Sequence, residues 1–356
     1  MKVFFLIPSL DYGGAARQLV LLAAGLPRDR FTPRVCTLGR PTPWAETLRT
    51  AGVEVEVLSW KRVFDMRLWL RLRDALRSFQ PDVLHVWNLP RLWPVLYLRR
   101  WVSGARLIIS APGSMSRLDR WVVRSGKERI AVGGPAAARR MRALGVAEDR
   151  LVQIPPGVLL PDLSAPPAGT LREELGLPPQ ALLLAGVGPL EPERGFYDAV
   201  WALDILKYIR DDLHLVLIGR GPDRPRLLRF ARSIDVAGQV HLLGEQPDVG
   251  ILLRQVDLVW VPNRREGGHN AALEAMAAAK AVVAARQPGL AEIVRDGETG
   301  LLHRSGDKAA LARLTRLLLD NPEKRRQLGE AGRRCAEEHF PAAALVQRYS
   351  AVYPGA

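Results

Sequence analysis

Leu258–Ala284 reads LVWVPNRREGGHNAALEAMAAAKAVVA: an apolar run, a polar loop with paired glycines, a small-residue helical stretch, and a second apolar run. Continuous apolar runs on either side of a helix describe two strands buried on both faces and joined by a crossover, the unit of a parallel sheet. The same rhythm extends in both directions. Towards the N-terminus we expect strands at Leu182–Val187, Leu215–Ile218 and Val240–Leu242 before Leu258–Val261, with Ala281–Ala284 after it. An earlier series comprises Lys2–Ile7, Pro33–Leu38, Val53–Leu58, Val83–Trp87, Arg106–Ser110 and Ile130–Val132. Between the series lies Ile154–Gln180, rich in Pro, Gly and Ala, which reads as a connection. The expected class is α/β, with two Rossmann-like, doubly wound parallel-sheet domains: residues 1–158, joined by a C-terminal helix over 340–356, and residues 159–339.

A length of 356 residues suits two domains, each with its own core. With 48% hydrophobic and 25% charged residues, the composition is that of a globular protein, and no apolar run approaches the roughly 20 residues that span a bilayer. The opening MKVFFLIPSLDYGG reads as a buried first strand and not as a signal peptide, so a cytoplasmic location is expected. Cys36 and Cys335 are the only cysteines and lack metal-ligand spacing, which argues against a disulfide framework or a structural zinc site.

Charge is distributed unevenly. Up to residue 160 there are 26 Lys+Arg and 12 Asp+Glu, 26 − 12 = +14; beyond it 25 and 25 cancel. Such an excess fits an anionic partner, or an Arg-rich solvated surface. Seven of the nine tryptophans share that half, and Trp60–Phe79 and Arg91–Trp101 mix bulky apolar residues with Arg. Those stretches suit the plane of an anionic membrane, or simply cover a sheet. No nucleic-acid-binding motif accompanies the charge.

Ligands of open parallel sheets sit beyond the carboxyl ends of strands, so chemistry is sought in the loops there. Glu266 and Glu274 lie eight positions apart after Val261. Gly267-Gly268 should keep the first in a loop and leave the second helical. Asn270 falls near the expected N-cap, where unpaired N–H groups and the helix dipole favour a diphosphate. Two separated carboxylates can accept hydrogen bonds from the hydroxyls of a nucleotide-sugar; for either Glu alone, a solvated surface residue is the competing reading.

Glu266, Gly267, Asn270, Leu273, Glu274, Ala275, Met276 and Ala277 resemble the E-x7-E motif of glycosyltransferase family 4, the group 1 glycosyltransferases, in its form E-G-x-P-N-x-x-L-E-A-M-A. Val187–Gly195 resembles that family's G-R-L-x-x-x-K-G, with Arg194 at the Lys position and Pro189 at the Arg position. Leu215–Pro222, Val240–Gly244 and Gln287–Leu302 resemble its G-x-G-P, V-x-F-L-G and G-G-x-x-E-I-V-x-D-G-x-T-G-L-L segments. Gly13–Leu19 resembles G-G-A-E-R-Q-L, with Ala16 replacing Glu, and Pro81–Trp87 resembles P-D-V-V-H-x-H, with Trp87 replacing the second His. Phe340–Tyr349 resembles the terminal helix that crosses back to the first domain, with Pro341 at the bend.

The resemblance implies a GT-B fold, two such domains facing a central cleft, and a retaining, metal-independent transfer of a sugar from a nucleotide-sugar, such as a UDP- or GDP-sugar, to a glycan or lipid-linked acceptor. By that resemblance Glu266 meets the transferred sugar, Glu274 the ribose and Arg194 the diphosphate, so Glu266 and Arg194 carry catalysis. Donor contacts would also come from Gly13, Gly14, Gly244, Gly267, Gly268, His269, Asn270 and Ala271. Arg17 and His85 are acceptor-side candidates, although a strand-end histidine is also a common structural residue. Ile109–Gly113 offers neither His nor Arg where relatives carry one. Pro189 removes a cation, a loss worth several kcal/mol on a departing diphosphate, unless Arg220, Arg264 or Arg265 replaces it. A non-catalytic relative that binds nucleotide-sugar or glycan without turnover is the alternative, and an epimerase on the same fold fits the Glu266/Glu274 segment less well.

Overall fold

A computed structural model describes every residue except 12, 41, 60–65, 90, 103, 111–114, 165–168 and 356, and the side chains of all of these but 66, 95, 96, 99 and 355. Contacts divide the chain into two compact units, Met1–Gly157 with Ala342–Ala356, and Val158–Pro341.

The first unit holds β1 (Lys2–Ile7), β2 (Thr32–Thr37), β3 (Glu54–Val57), β4 (Val83–Trp87), β5 (Arg106–Ser110), β6 (Arg129–Val132) and β7 (Leu151–Gln153) in the order β3-β2-β1-β4-β5-β6-β7. The second holds β8 (Leu182–Val187), β9 (Leu213–Ile218), β10 (Val240–Gly244), β11 (Leu258–Val261), β12 (Val282–Ala285) and β13 (Leu301–His303) in the order β10-β9-β8-β11-β12-β13. All the named strand pairs are parallel.

Successive side chains of a strand point to opposite faces, and here both faces are packed. Val3, Phe5 and Ile7 of β1 enter one core, and Phe4 and Leu6 enter another. Likewise Val259 and Val261 of β11 separate from Leu258 and Trp260. Double burial is why these strands read as unbroken apolar runs. Trp260 is accommodated because its indole N–H donates to Thr315 Oγ1 at 2.8 Å.

Several expected boundaries move by one or two residues. β9 starts at Leu213, because His214 interrupts the apolar run without interrupting the ladder with β8. β7 and β13, three residues each, were not expected, being too short to show a period. The basic stretch Trp60–Phe79 forms a helix over Met66–Phe79, while Trp60–Asp65 lies outside the described residues.

The C-terminal segment is built into the first unit. Helix Pro322–His339 ends before Pro341, and helix Ala342–Gly355 packs on helix Gly14–Gly25 so closely that a Cβ on Gly25 would fall 2.7 Å from Val346 Cγ2. Gln18 clamps the Gly157 peptide, donating to its carbonyl and accepting from its N–H at 2.7 Å each. In the second unit Val158 N–H donates to the Phe340 carbonyl at 2.8 Å.

Candidate functional site

Three loops meet beyond the carboxyl ends of β8, β9 and β11. The β8 loop runs from Gly188 to Gly195, and the β11 loop from Pro262 to Gly268. Their contact is closed by glycine: a Cβ on Gly195, whose φ is +73°, would lie 2.0 Å from the Pro262 carbonyl oxygen. Arg264 N–H also donates to the Glu193 carbonyl at 2.9 Å. The β9 loop presses on the same turn, since a Cβ on Gly219 would fall 2.0 Å from Gly188 O, and one on Gly221 would fall 2.3 Å from Leu190 O. The glycines of the G-x-G-P segment therefore serve this packing. Gly244, at the end of β10, bridges to Gly219, whose N–H donates to the Gly244 carbonyl at 2.7 Å.

The following helix, His269–Ala277, starts from Gly268 at the N-cap (φ +83°), with no side-chain cap. Asn270 is the second helical residue and Ala271 the third, so the cap position expected near Asn270 belongs to Gly268, which reaches the left-handed region at no steric cost. A Cβ on Gly267 would lie 2.3 Å from Arg194 Nη1, and one on Gly268 would lie 2.8 Å from Asn263 Oδ1. Arg194 and Asn263 thus pack directly on the loop that opens the helix. Both carry a buried donor, Arg194 Nε and Asn263 Nδ2, with no hydrogen-bond partner among the described residues. Asn263 is 3% exposed. Motif reading passed over Asn263; its only sequence signal is an amide between a strand end and a glycine pair.

Glu266 Oε1 accepts from Gly289 N–H and from His269 Nε2, each at 3.1 Å. Glu274 lies one and a half turns into the helix and is buried. Arg194, Glu266, Gly267, Gly268 and His269 are therefore brought together, with Glu274 deeper along the same helix.

The three arginines able to replace the cation missing at Pro189 differ. Arg264 is committed: its guanidinium makes a bidentate pair with buried Asp198, 2.7 Å on each arm, which raises its pKa. Arg265 lies 3.6 Å from Glu193. Arg220 stands beside Pro189, because Gly188 N–H donates to Ile218 O and Leu190 N–H to Arg220 O at 2.9 and 3.0 Å. Its side chain is 75% exposed and 4.0 Å from Glu245.

In the first unit, Gly13 caps helix Gly14–Gly25 in extended conformation (φ −156°), and among the described residues beyond its chain neighbours a Cβ there would meet only Asp11 O at 3.8 Å. Packing does not demand that glycine. Arg17 lies over the Trp44 ring, 5.9 Å from its centroid. His85, an acceptor-side candidate with a structural alternative, is fully buried: Nδ1 is 3.0 Å from the Tyr353 hydroxyl, and Nε2 is 3.0 Å from Ser110 Oγ. Burial lowers its pKa to about 3, keeping it neutral. Trp87, at the motif's second His position, is also buried and donates from Nε1 to Ala15 O at 2.9 Å, tying β4 to the glycine-initiated helix. Ala111-Pro112-Gly113, where the resemblance leads one to expect a His or Arg, lies outside the described residues.

Family models match almost the whole chain, Glycosyltransferase Family 4 over residues 12–160 and Glycosyl transferases group 1 over residues 168–335. The chain belongs to the group 1 glycosyltransferases. N-acetyl-alpha-D-glucosaminyl L-malate synthase of Bacillus anthracis is 28% identical over 184 residues, 51% of this chain and 48% of that protein. D-inositol 3-phosphate glycosyltransferase of Acidothermus cellulolyticus is 29% identical over 310 residues, 83% and 66%. The chain thus spans about half to two thirds of the length of these relatives. Among solved structures, HepE of Anabaena in complex with UDP-glucose has a TM-score of 0.86 at 20% identity, over 100% of both chains. The fold of this group 1 glycosyltransferase is GT-B.

Proposed function

We propose that the protein transfers a sugar from a nucleoside-diphosphate donor, with retention and without a bound metal ion, to a glycan or lipid-linked acceptor. The observation that carries this reading is the pair of unpartnered buried donors, Arg194 Nε and Asn263 Nδ2, against the loop that opens helix His269–Ala277. Leaving a buried donor unsatisfied costs about 1–3 kcal/mol, and a helix N-terminus with its dipole adds further affinity for an anion. A diphosphate would satisfy both. Arg194 then meets charge on the departing diphosphate, Glu266 orients the sugar, and Glu274 holds the ribose. Gly244, Gly267, Gly268, His269, Asn270 and Ala271 form the surrounding wall, and Gly13, Gly14 and Arg17 are read as ligand-facing residues of the first unit.

In the step itself the acceptor oxygen bonds to the anomeric carbon on the face the diphosphate leaves. The bond from that carbon to the phosphate oxygen breaks, and that oxygen takes the acceptor's proton. The protein supplies position and charge. Arg220, exposed beside Pro189, is the cation best placed to serve where the family arginine is absent.

A lipid-linked acceptor is favoured by helix Arg117–Ser125, whose outward arc carries Leu118 and Trp121, 50% and 56% exposed, between Arg117, Arg120 and Arg124. Apolar side chains set among cations suit peripheral binding to an anionic membrane at its cytoplasmic face. No helix among the described residues is long and apolar enough to cross a membrane. Pro189 favours a second reading, a relative that binds the donor without turnover.

Thermal-shift screening against UDP-, GDP- and ADP-sugars tests the donor reading, since a ligand of the folded state raises its stability. One class is expected to raise Tm by several degrees, about 2–3 kcal/mol of linkage at ~100-fold excess over Kd. Glu274→Ala is expected to abolish the shift while retaining a cooperative transition. No shift with any donor contradicts the reading, and a shift without transfer or donor hydrolysis favours the second.

A further inference from the structure

Glu266 is a loop residue whose side chain is 37% exposed, a setting in which a glutamate ordinarily samples many rotamers. Here two donors from two elements converge on one of its oxygens. His269, the first residue of a helix buried from Ala271 to Ala277, points Nε2 at Oε1 over 3.1 Å, so the ring is aimed by the helix. Gly289, immediately before helix Leu290–Ile293, offers its N–H to the same oxygen at 3.1 Å. A Cβ on Gly289 would fall 2.2 Å from Glu266 Oε1 and 2.2 Å from His269 Nε2. Its φ is −74°, which any residue adopts, so the glycine answers a need for space and not for backbone freedom. The gap is fitted to these two side chains.

We propose that His269 is a positioning residue: together with the Gly289 N–H it fixes the Glu266 carboxylate towards the sugar of the donor, and so sets how strongly the sugar, as distinct from the nucleotide, is recognised. This role rests on the donor reading above. A neutral imidazole donates from Nε2 in one tautomer and a protonated one donates as well, so either form can hold the contact. The motif form E-G-x-P-N carries proline where His269 stands, and proline has no side-chain donor.

The test compares Kd for UDP and UDP-glucose, or GDP and GDP-mannose if the wild type selects guanine, across wild type, His269→Phe, His269→Gln and Gly289→Ala. Nucleotide affinity is expected to stay within about twofold in every variant, because Arg194, Asn263 and the backbone N–H groups at the helix start, through which His269 itself lines the diphosphate, are retained. The preference for nucleotide-sugar over nucleotide is expected to fall roughly tenfold in His269→Phe and Gly289→Ala, the scale of one lost hydrogen bond to a charged group. Where transfer is measurable, kcat/KM falls with it. His269→Gln, which restores a donor, is expected to recover most of the loss. A His269→Phe variant that keeps the preference, a His269→Gln variant as poor as His269→Phe, or an equal loss of nucleotide affinity overturns the role. Wild type that binds none of UDP, GDP and ADP removes the donor reading, and this role with it; normal nucleotide binding with an unchanged sugar preference removes this role alone.

Discussion

Each unit starts a helix from glycine just beyond a strand end, and the two starts are built on opposite terms. At Gly268 the backbone is left-handed, and an added Cβ would collide with Val261 Cγ1 at 2.6 Å and Asn263 Oδ1 at 2.8 Å. At Gly13 the backbone is extended and, among the described residues beyond its chain neighbours, nothing comes closer to the missing Cβ than Asp11 O at 3.8 Å. The first glycine is demanded by the fold, because only it lets Val261 and Asn263 close on the helix N-terminus. The second is not, so its role is sought in what approaches it. A glycine in a motif therefore says nothing by itself about ligand binding until the atoms its Cβ would meet are known.

The contrast can be broken by one substitution at each place. Gly268→Ala combines a left-handed alanine with a collision against packed atoms and is expected to cost about 2–4 kcal/mol in urea unfolding. Gly13→Ala is expected to cost no more than about 1 kcal/mol, the range for changes at a helix cap, while lowering transfer activity if ligand approaches there. Similar losses of stability at the two positions would remove the distinction.

A smaller effect sharpens it on the first unit's side. His85 is held neutral by burial, at a pKa of about 3 against 6.5 for the free side chain. The unfolded chain gains the proton first as pH falls, so the stability His85 contributes is intact above about pH 6.5 and is lost progressively down to about pH 3. The slope is at most about 1.4 kcal/mol per pH unit, or about 2 kcal/mol between pH 7 and pH 5. Urea unfolding at the two pH values should show a decrement about 2 kcal/mol larger in wild type than in His85→Gln, since His214, His241 and His303, whose pKa values burial also lowers, remain in both. An unchanged decrement in the variant would assign it to other groups.

The doubly wound pattern was legible because double burial leaves a continuous apolar run, and β1, β4, β5, β8 and β11 were bounded to the residue. The segment from Glu266 to Ala277 was legible because glycine pairs and a small-residue helix are local signals. What escaped is set by contacts between distant residues. Asp198 claims Arg264 from 66 positions away, and no pattern around either shows it. Gln18 stands in a motif that suggests ligand contact, yet its amide closes on Gly157, 139 positions on. Asn263 and Gly289 belong to the site through the atoms they approach, which the sequence around them does not specify.

Calorimetric titration of UDP and GDP into wild type and Arg194→Ala, each checked for its unfolding transition, addresses the proposed grip on the diphosphate. Removing a cation whose Nε has no partner among the described residues should leave Tm nearly unchanged and weaken nucleotide binding about 100-fold, the scale of a lost charged contact in a desolvated site. Equal affinity in the two proteins would contradict it.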